Sequence, residues 1–341
     1  YTKDVMGTGP FKLVSYLRGV SIDMVKNPDY FVPGRPYMDG IMRYIIKDYG
    51  AMNAAFKAGK LDALLGFQHN VGAREREVLK KQYPTVVIDE KATPTARVLI
   101  FNHTRKPFND VRLRTALDLV LERRAFITVA AQGDARLGGM VFPGFWAMPQ
   151  EELLKRPGYR QPKDQDIAEA KRLLTEAGFP NGLKFTITTR SLADYTAAAV
   201  LIQDQAKAIG LDVRVEVLEG ATYFSREAAL DFETVVSGSS ITLDEPDLYL
   251  GHSFTTGGGQ NYGKYSNPKV DELYVKQAQA KDQAERKKLI SELEKIIMED
   301  RPLVPFYWRT YSSITWPYVR NFNFQGNQLG FKLQDVWLAA Q

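Results

Sequence analysis

Hydrophobic and polar positions along this chain change period wherever turn residues intervene, and the changes mark out its elements. Phe11 to Tyr16 and Ser21 to Val25 alternate as short strands around Arg18-Gly19, a hairpin turn. Loop residues follow at Asn27-Pro28-Asp29-Tyr30 and Val32-Pro33-Gly34-Arg35-Pro36, and then Ile41 to Ile46 alternates again. Gly50 to Lys57 has helical spacing, with Gly59 where a C-terminal cap belongs. Leu61 to Leu65 reads as a short buried strand and Ala73 to Lys81 as a helix. Val86-Val87-Ile88 and Ala96 to Phe101 read as two further strands.

The middle of the chain is more regular. Leu113, Leu117, Val120 and Leu121 form one apolar stripe of a helix predicted over 110 to 130, capped by Asn109 or Asp110. Gly133 to Pro162 is irregular and holds Phe142-Pro143-Gly144-Phe145-Trp146; long loops of this kind are often functional. Then come a helix (Asp166 to Ala177), a strand (Leu183, Phe185, Ile187), a helix (Asp194 to Ile209) and a strand (Val213, Val215, Val217). A helix (Thr222 to Leu230) and a third strand (Phe232 to Val236) complete the series. This order predicts a mostly parallel sheet with right-handed crossovers and a ligand beyond the carboxyl ends of its strands. Ser237-Gly238-Ser239-Ser240 would then lie at the end of the third strand, small enough for close approach. Two helices, Pro268 to Ala280 and Asp282 to Glu299, precede an apolar strand at Pro302 to Trp308.

Composition narrows the class. At 341 residues the chain is long enough for about two domains. Its 45 Lys and Arg exceed its 40 Asp and Glu by five, but the signs are interleaved, as in Arg74-Glu75-Arg76-Glu77. That is a solvated helix surface rather than a nucleic-acid groove. No stretch of ~18 uncharged apolar residues is present. Cysteine is absent, which removes thiolate metal sites, Cys nucleophiles and disulfides from this segment. The start at Tyr1, followed by Gly7-Thr8-Gly9-Pro10-Phe11, reads as the middle of a longer protein.

Catalytic patterns fail one by one. Gly258 to Lys264 has the spacing of a phosphate loop, but Tyr265 stands where Ser or Thr must hold Mg²⁺, no apolar strand leads in, and Asn267-Pro268 follows. His69, His103 and His252 are not at metal-ligand spacing. Asp244, Glu245 and Asp247 form the densest acidic cluster and, with His252, could serve a hydrolase; the alternative is capping of the following Leu248-Tyr249-Leu250 segment. An α/β chain with aromatic and polar loops at strand ends suits a ligand binder better than a catalyst.

The order of motifs resembles one family. Gly7-Thr8-Gly9-Pro10-Phe11-Lys12-Leu13, Asn27-Pro28-Asp29-Tyr30, Gly34-Arg35-Pro36-Tyr37-Met38-Asp39 and Gly59-Lys60-Leu61-Asp62 come first. Phe101-Asn102, Pro107-Phe108-Asn109-Asp110-Val111-Arg112, Arg114-Thr115-Ala116-Leu117 and Glu122-Arg123 continue the series, and Asn261, Tyr265-Ser266-Asn267-Pro268 and Val270-Asp271 end it. Together they resemble the family 5 extracellular solute-binding proteins, the oligopeptide, dipeptide and nickel-type receptors of ABC importers. The resemblance implies a two-lobed α/β fold of the periplasmic-binding-protein kind (type II, cluster C). The chain would correspond to the carboxyl-terminal two-thirds, without the first part of lobe I and an extra small domain. Residues 1–97 and 309–341 would complete lobe I, and 98–308 would form lobe II. The implied function is non-enzymatic: a monomeric receptor closes over a small polar or peptide-like solute and delivers it to a membrane permease, with no cofactor and no nucleic acid. The implied location is periplasmic, or membrane-anchored outside a Gram-positive cell.

The resemblance also directs attention to particular residues. In lobe I, Phe67, Gln68, His69 and Asn70 follow a strand where family members present polar side chains to the solute. In lobe II, Ser237, Gly238, Ser239 and Thr242 are the expected polar contacts, with Phe142 and Trp146 as apolar walls. Peptide receptors of the family commonly carry an amine-binding Asp where Thr242 stands, so a ligand held by a free α-amine is not expected. Leaving such an ammonium unpaired costs roughly 3–5 kcal/mol.

Overall fold

The computed structural model describes residues 6–46, 48–65, 71–240, 245–323 and 332–340. In chain order the elements are β1 (Phe11–Leu17), β2 (Ser21–Lys26), β3 (Gly40–Tyr44), α1 (Tyr49–Lys57), β4 (Ala63–Leu65), α2 (Ala73–Gln82) and β5 (Val87–Phe101). Next come α3 (Val111–Val120), α4 (Arg123–Ala125), β6 (Ala135–Arg136), α5 (Gln150–Leu153), α6 (Asp164–Glu176), β7 (Lys184–Arg190) and α7 (Ala193–Ala206). The remainder is β8 (Asp212–Leu218), α8 (Gly220–Ala228), β9 (Thr234–Ser240), α9 (Pro246–Phe254), α10 (Pro268–Gln279), α11 (Gln283–Asp300), β10 (Leu303–Thr315), β11 (Val319–Arg320) and β12 (Trp337–Leu338).

The chain divides into a smaller unit, 1–91 with 310–341, and a larger unit, 92–309. It passes from one to the other inside β5 and returns inside β10, two strands of 15 and 13 residues. Val86-Val87-Ile88 and Ala96 to Phe101 therefore do not form two strands: β5 runs through Thr93-Pro94 without a break.

In the smaller unit β1, β2 and β3 form an antiparallel sheet, with the hairpin register Leu17↔Ser21 closing on the predicted turn. Its core gathers Met52, Phe56, Leu64, Leu79, Val86 and Ile314. Phe56 stacks on Trp316 at 4.7 Å. Asp48 caps α1 by accepting from the Ala51 amide at 2.7 Å.

The larger unit is built on a mixed sheet. β7 pairs in parallel with β8 and β9, and β9 pairs antiparallel with β5, which neighbours β10. The parallel trio follows from the alternating strand-helix pattern; β5, antiparallel to β9, and β10 beside it are neighbours that local periodicity does not reveal. Alternation along the strands sends Leu99, Phe101, Phe185, Ile187 and Val236 to one face, where Leu113, Leu117, Leu174, Ala198 and Ile202 cover them. Val98, Ile100, Val235 and Trp308 go to the other face, beneath Tyr223, Tyr249, Phe254, Leu273, Leu293 and Ile297. Helices end as glycine predicts: Gly210 sits at φ 82°, where other residues are strained.

The helix predicted over 110 to 130 is interrupted. Leu121 is extended, at ψ 123°, and the Glu122 amide donates to Gln205 Oε1 at 2.8 Å, outside the helix. Glu122 then caps α4 by accepting from the Arg124 amide at 3.0 Å, and the chain continues through a π turn at Phe126–Ala130. The apolar stripe survives the break because Phe126 and Ala130 still enter the core.

Candidate functional site

The sheet rule directs attention to the carboxyl ends of β7 and β9. The helix after β7, α7, packs on the first face of the sheet, whereas the helix after β9, α9, packs on the second. Adjacent parallel strands whose continuations leave in opposite directions open a crevice between them.

β9 is longer than the sequence pattern predicts. Ser237, Gly238, Ser239 and Ser240 are not a loop after the strand; they are its second half, paired with Val98, Arg97, Ala96 and Thr95 of β5. The ladder to β5, whose partner role local periodicity hides, extends the strand. Ser237 and Ser239 lie on the face of Val235 and are buried. Ser237 Oγ donates to Glu227 Oε1 at 3.0 Å, and Tyr223 Oη donates to the same oxygen at 2.8 Å. Burial pushes the Glu227 carboxyl above the usual carboxylate range. Ser239 Oγ reaches Gln260 Oε1 at 3.3 Å, and Ser240 Oγ shares a hydrogen bond with Thr95 Oγ1 at 2.9 Å. Gly238 lies on the opposite face, where a Cβ would come within 2.6 Å of Tyr195 Oη and 2.8 Å of Arg97 Nη1. Close approach is thus the reason for glycine there.

Of the other sequence-predicted contacts, Phe67, Gln68, His69, Asn70 and Thr242 lie outside the described residues. Phe142 packs edge-on against Trp308 at 5.5 Å. Trp146 lies under the Arg286 guanidinium at 4.9 Å and edge-on to Phe145 at 5.0 Å. Both rings are half-buried against the second core. Their loop is tied down by Glu294, a buried carboxyl that accepts from the amides of Val141 at 3.1 Å and Met148 at 2.8 Å. Desolvation pushes Glu294 up to about 7.

The acidic cluster is occupied structurally. Glu245 caps α9, accepting from the Asp247 amide at 3.2 Å, and is paired with Arg286. Asp247 accepts from Gln277 Nε2 at 2.5 Å; Asp244 lies outside the described residues. His252 is exposed. His103 bonds through Nε2 to the Pro302 carbonyl oxygen at 3.1 Å, and burial pulls it down to about 4. The glycine-rich segment before Lys264 is held by Asn261, whose amide donates to the carbonyls of Thr255 and Tyr265. Among the described residues no group of three or more His, Asp or Glu is disposed to hold a metal, and no helix is long and apolar enough to cross a membrane.

What sequence reading missed is the group at the end of β7. Asp194, at the start of α7, accepts through Oδ2 from Arg97 Nε at 2.8 Å and Arg309 Nη1 at 2.7 Å. Tyr195 lies against two guanidinium groups, Arg190 at 4.1 Å and Arg97 at 4.3 Å from its ring centre. Arg190 also faces Phe224 at 5.1 Å and Tyr223 at 5.7 Å. The signal was available: Arg97 and Arg309 are single charges within or beside apolar strand runs, and Arg190 ends the first parallel strand. A charge buried within a sheet requires a partner, and Asp194 supplies it for Arg97 and Arg309.

These features define a two-unit α/β binding fold, the type II periplasmic-binding-protein class. Peptide-bound DppA of Helicobacter pylori, an ABC transporter-associated periplasmic binding protein solved with the peptide STSA, superposes with a TM-score of 0.81. It is 27% identical, and the match covers 97% of this chain and 63% of that one. The chain belongs to the bacterial extracellular solute-binding proteins, family 5, whose middle region matches residues 1–261. The oligopeptide-binding protein AppA of Bacillus subtilis (strain 168) is 26% identical over 358 residues, covering 99% of this chain and 63% of AppA. The periplasmic oligopeptide-binding protein OppA of Haemophilus influenzae is 25% identical over 98% of this chain and 62% of its own length. The chain therefore spans somewhat less than two thirds of these relatives.

Proposed function

We propose that the protein carrying this chain is an extracytoplasmic solute receptor of an ABC importer. Family membership over residues 1–261 carries this reading. The larger unit is read as lobe II and the smaller as part of lobe I, closing over a small polar or peptide-like solute and handing it to a membrane permease. The names of the relatives, oligopeptide-binding AppA and OppA and peptide-bound DppA, support a peptide-like ligand class. A periplasmic location and action as a single chain belong to the same reading. The hydrolase alternative finds no support: among the described residues of the acidic cluster, Glu245 caps and pairs and Asp247 is bonded to Gln277.

Thermal-shift titration of the full-length protein against a defined set of di-, tri- and tetrapeptides, sugars and organic acids tests the reading. Binding to the native state alone raises Tm progressively, roughly with the logarithm of ligand concentration above Kd, by about 2.7 kcal/mol of stabilisation at a hundredfold excess over Kd. At least one class is expected to give such a curve. A flat response across the set, or conversion of a compound into product, would overturn the reading.

A further inference from the structure

The mixed sheet of the larger unit ends at β8, whose only strand partner among the described residues is β7. The Asp212 amide donates to the Leu183 carbonyl and the Ser191 amide to the Leu218 carbonyl, each at 2.9 Å. Even-numbered residues of β8 therefore turn their backbones toward β7, and Val213, Val215 and Val217 turn theirs outward. Gln203 of α7 donates to the Val213 carbonyl at 2.7 Å. The outward amides and carbonyls of Val215 and Val217 have no partner among the described residues. An edge of this kind is a template for a further strand unless a bulge, a proline or a covering element blunts it. β8 has neither bulge nor proline: Asp212-Val213-Arg214-Val215-Glu216-Val217-Leu218 runs in unbroken register.

The side chains of this edge are complementary to themselves. When two β8 strands run antiparallel about Val215, Val213 stands opposite Val217 and Arg214 opposite Glu216. The outward backbones of the valines then exchange hydrogen bonds, and the charged pairs take the positions where side chains approach most closely. Shifting the register by one step in either direction sets Arg214 against Arg214 or Glu216 against Glu216, which like-charge repulsion opposes. Both charges are available. Arg214 is exposed and makes no ion pair among the described residues. Glu216 accepts through Oε2 from Arg226 Nη1 at 2.8 Å and Thr188 Oγ1 at 3.2 Å, which leaves Oε1 for a further donor. Apolar surface accompanies the edge: Val217 is 45% exposed, and Val200, three positions before Gln203 on α7, is 48% exposed.

We infer that the outer edge of β8 is an interface between two copies of this chain, paired antiparallel about Val215 so that their sheets continue into one. A two-fold axis through Val215 makes the contact isologous, with each Arg214 meeting Glu216 of the second copy. The inference goes beyond the receptor reading and leaves it intact. The crevice lies between β7 and β9, whereas the free edge of β8 faces away from both. Each chain therefore handles its solute singly, and pairing joins two such receptors. The ladder Val213–Val217 with its flanking valines is small beside the roughly 1,200 Å² of a stable interface, so the pair forms reversibly as concentration rises.

The test is sedimentation velocity of the full-length protein from micromolar to near-millimolar concentration. The wild type is expected to pass from monomer to dimer over this range. Arg214→Glu turns two attractive cross-strand pairs into two repulsive ones and should weaken the dimer about thirtyfold. Glu216→Arg should weaken it similarly, with the opposite charge. An equimolar mixture of the two variants restores opposite charges at both pairs and should recover a heterodimer, which a merely misfolded variant could not do. A wild type that stays monomeric throughout, a dimer insensitive to Arg214→Glu, or a mixture no more associated than its components would overturn the interface. If Glu216→Arg does not fold, because Arg226 and Thr188 lose their acceptor, the wild type and Arg214→Glu decide the matter.

Discussion

The two faces of β9 are used in opposite ways. On the face of Ser237 and Ser239, hydroxyls are absorbed into the unit: Ser237 serves Glu227, and Ser239 reaches Gln260. On the face of Gly238, the missing side chain makes room for Tyr195 and Arg97, and charge accumulates there. One face is thus satisfied by neutral hydrogen bonds, and the other is held by close packing around paired charge. Residues one position apart on a strand have different work because alternation sends them to different cores.

That contrast can be broken by substitution. Asp194→Asn removes the negative charge shared by Arg97 and Arg309, both nearly buried, and is expected to cost the most, about 3 kcal/mol in urea unfolding. A loss below about 1 kcal/mol would mean that the guanidiniums do not depend on it. Gly238→Ala forces a Cβ against Tyr195 Oη and Arg97 Nη1 and should cost about 2 kcal/mol in the same measurement. Ser237→Ala, on the quieter face, removes one of two donors to Glu227 Oε1 and should cost about 1 kcal/mol. If Ser237→Ala proves more damaging than Gly238→Ala, the assignment of roles to the two faces is wrong.

A pH profile sharpens the comparison further. Glu294 on the second face titrates at about 7 when folded, well above its ordinary 4.5. The folded state therefore holds a proton that the unfolded state has released, and the group's contribution to stability declines as pH rises between those values. The stability of the wild type minus that of Glu294→Gln should fall from pH 5 to pH 8, read from denaturation midpoints. A difference that rises over this range would contradict the buried, raised carboxyl.

How much of this was legible beforehand depended on whether the signal was local. The hairpin at Arg18-Gly19, the helix closed by Gly210 and the parallel strands around Ile187 and Val215 follow from periodicity and turn residues within short windows. The break at Leu121 did not, because Gln205, more than eighty positions away, supplies the competing hydrogen bond. The same reason explains β9. Its serines look like a polar loop until β5 is placed beside them. The candidate residues Phe142 and Trp146 were legible as aromatic and loop-borne, but their packing on Trp308 and Arg286 was not. The arginine group was hidden for another reason: Arg97, Arg190 and Arg309 are brought together only by strand order, since they are widely separated in sequence.

The central claim is that the protein holds a solute and does not transform it. Native mass spectrometry of the full-length protein, purified without denaturation and measured again after a day's incubation, addresses it most directly. The account predicts one small solute per chain, released on denaturation with the same mass at both times. A bare chain that takes up no compound from the defined set, or a bound compound whose mass changes on incubation, would contradict it.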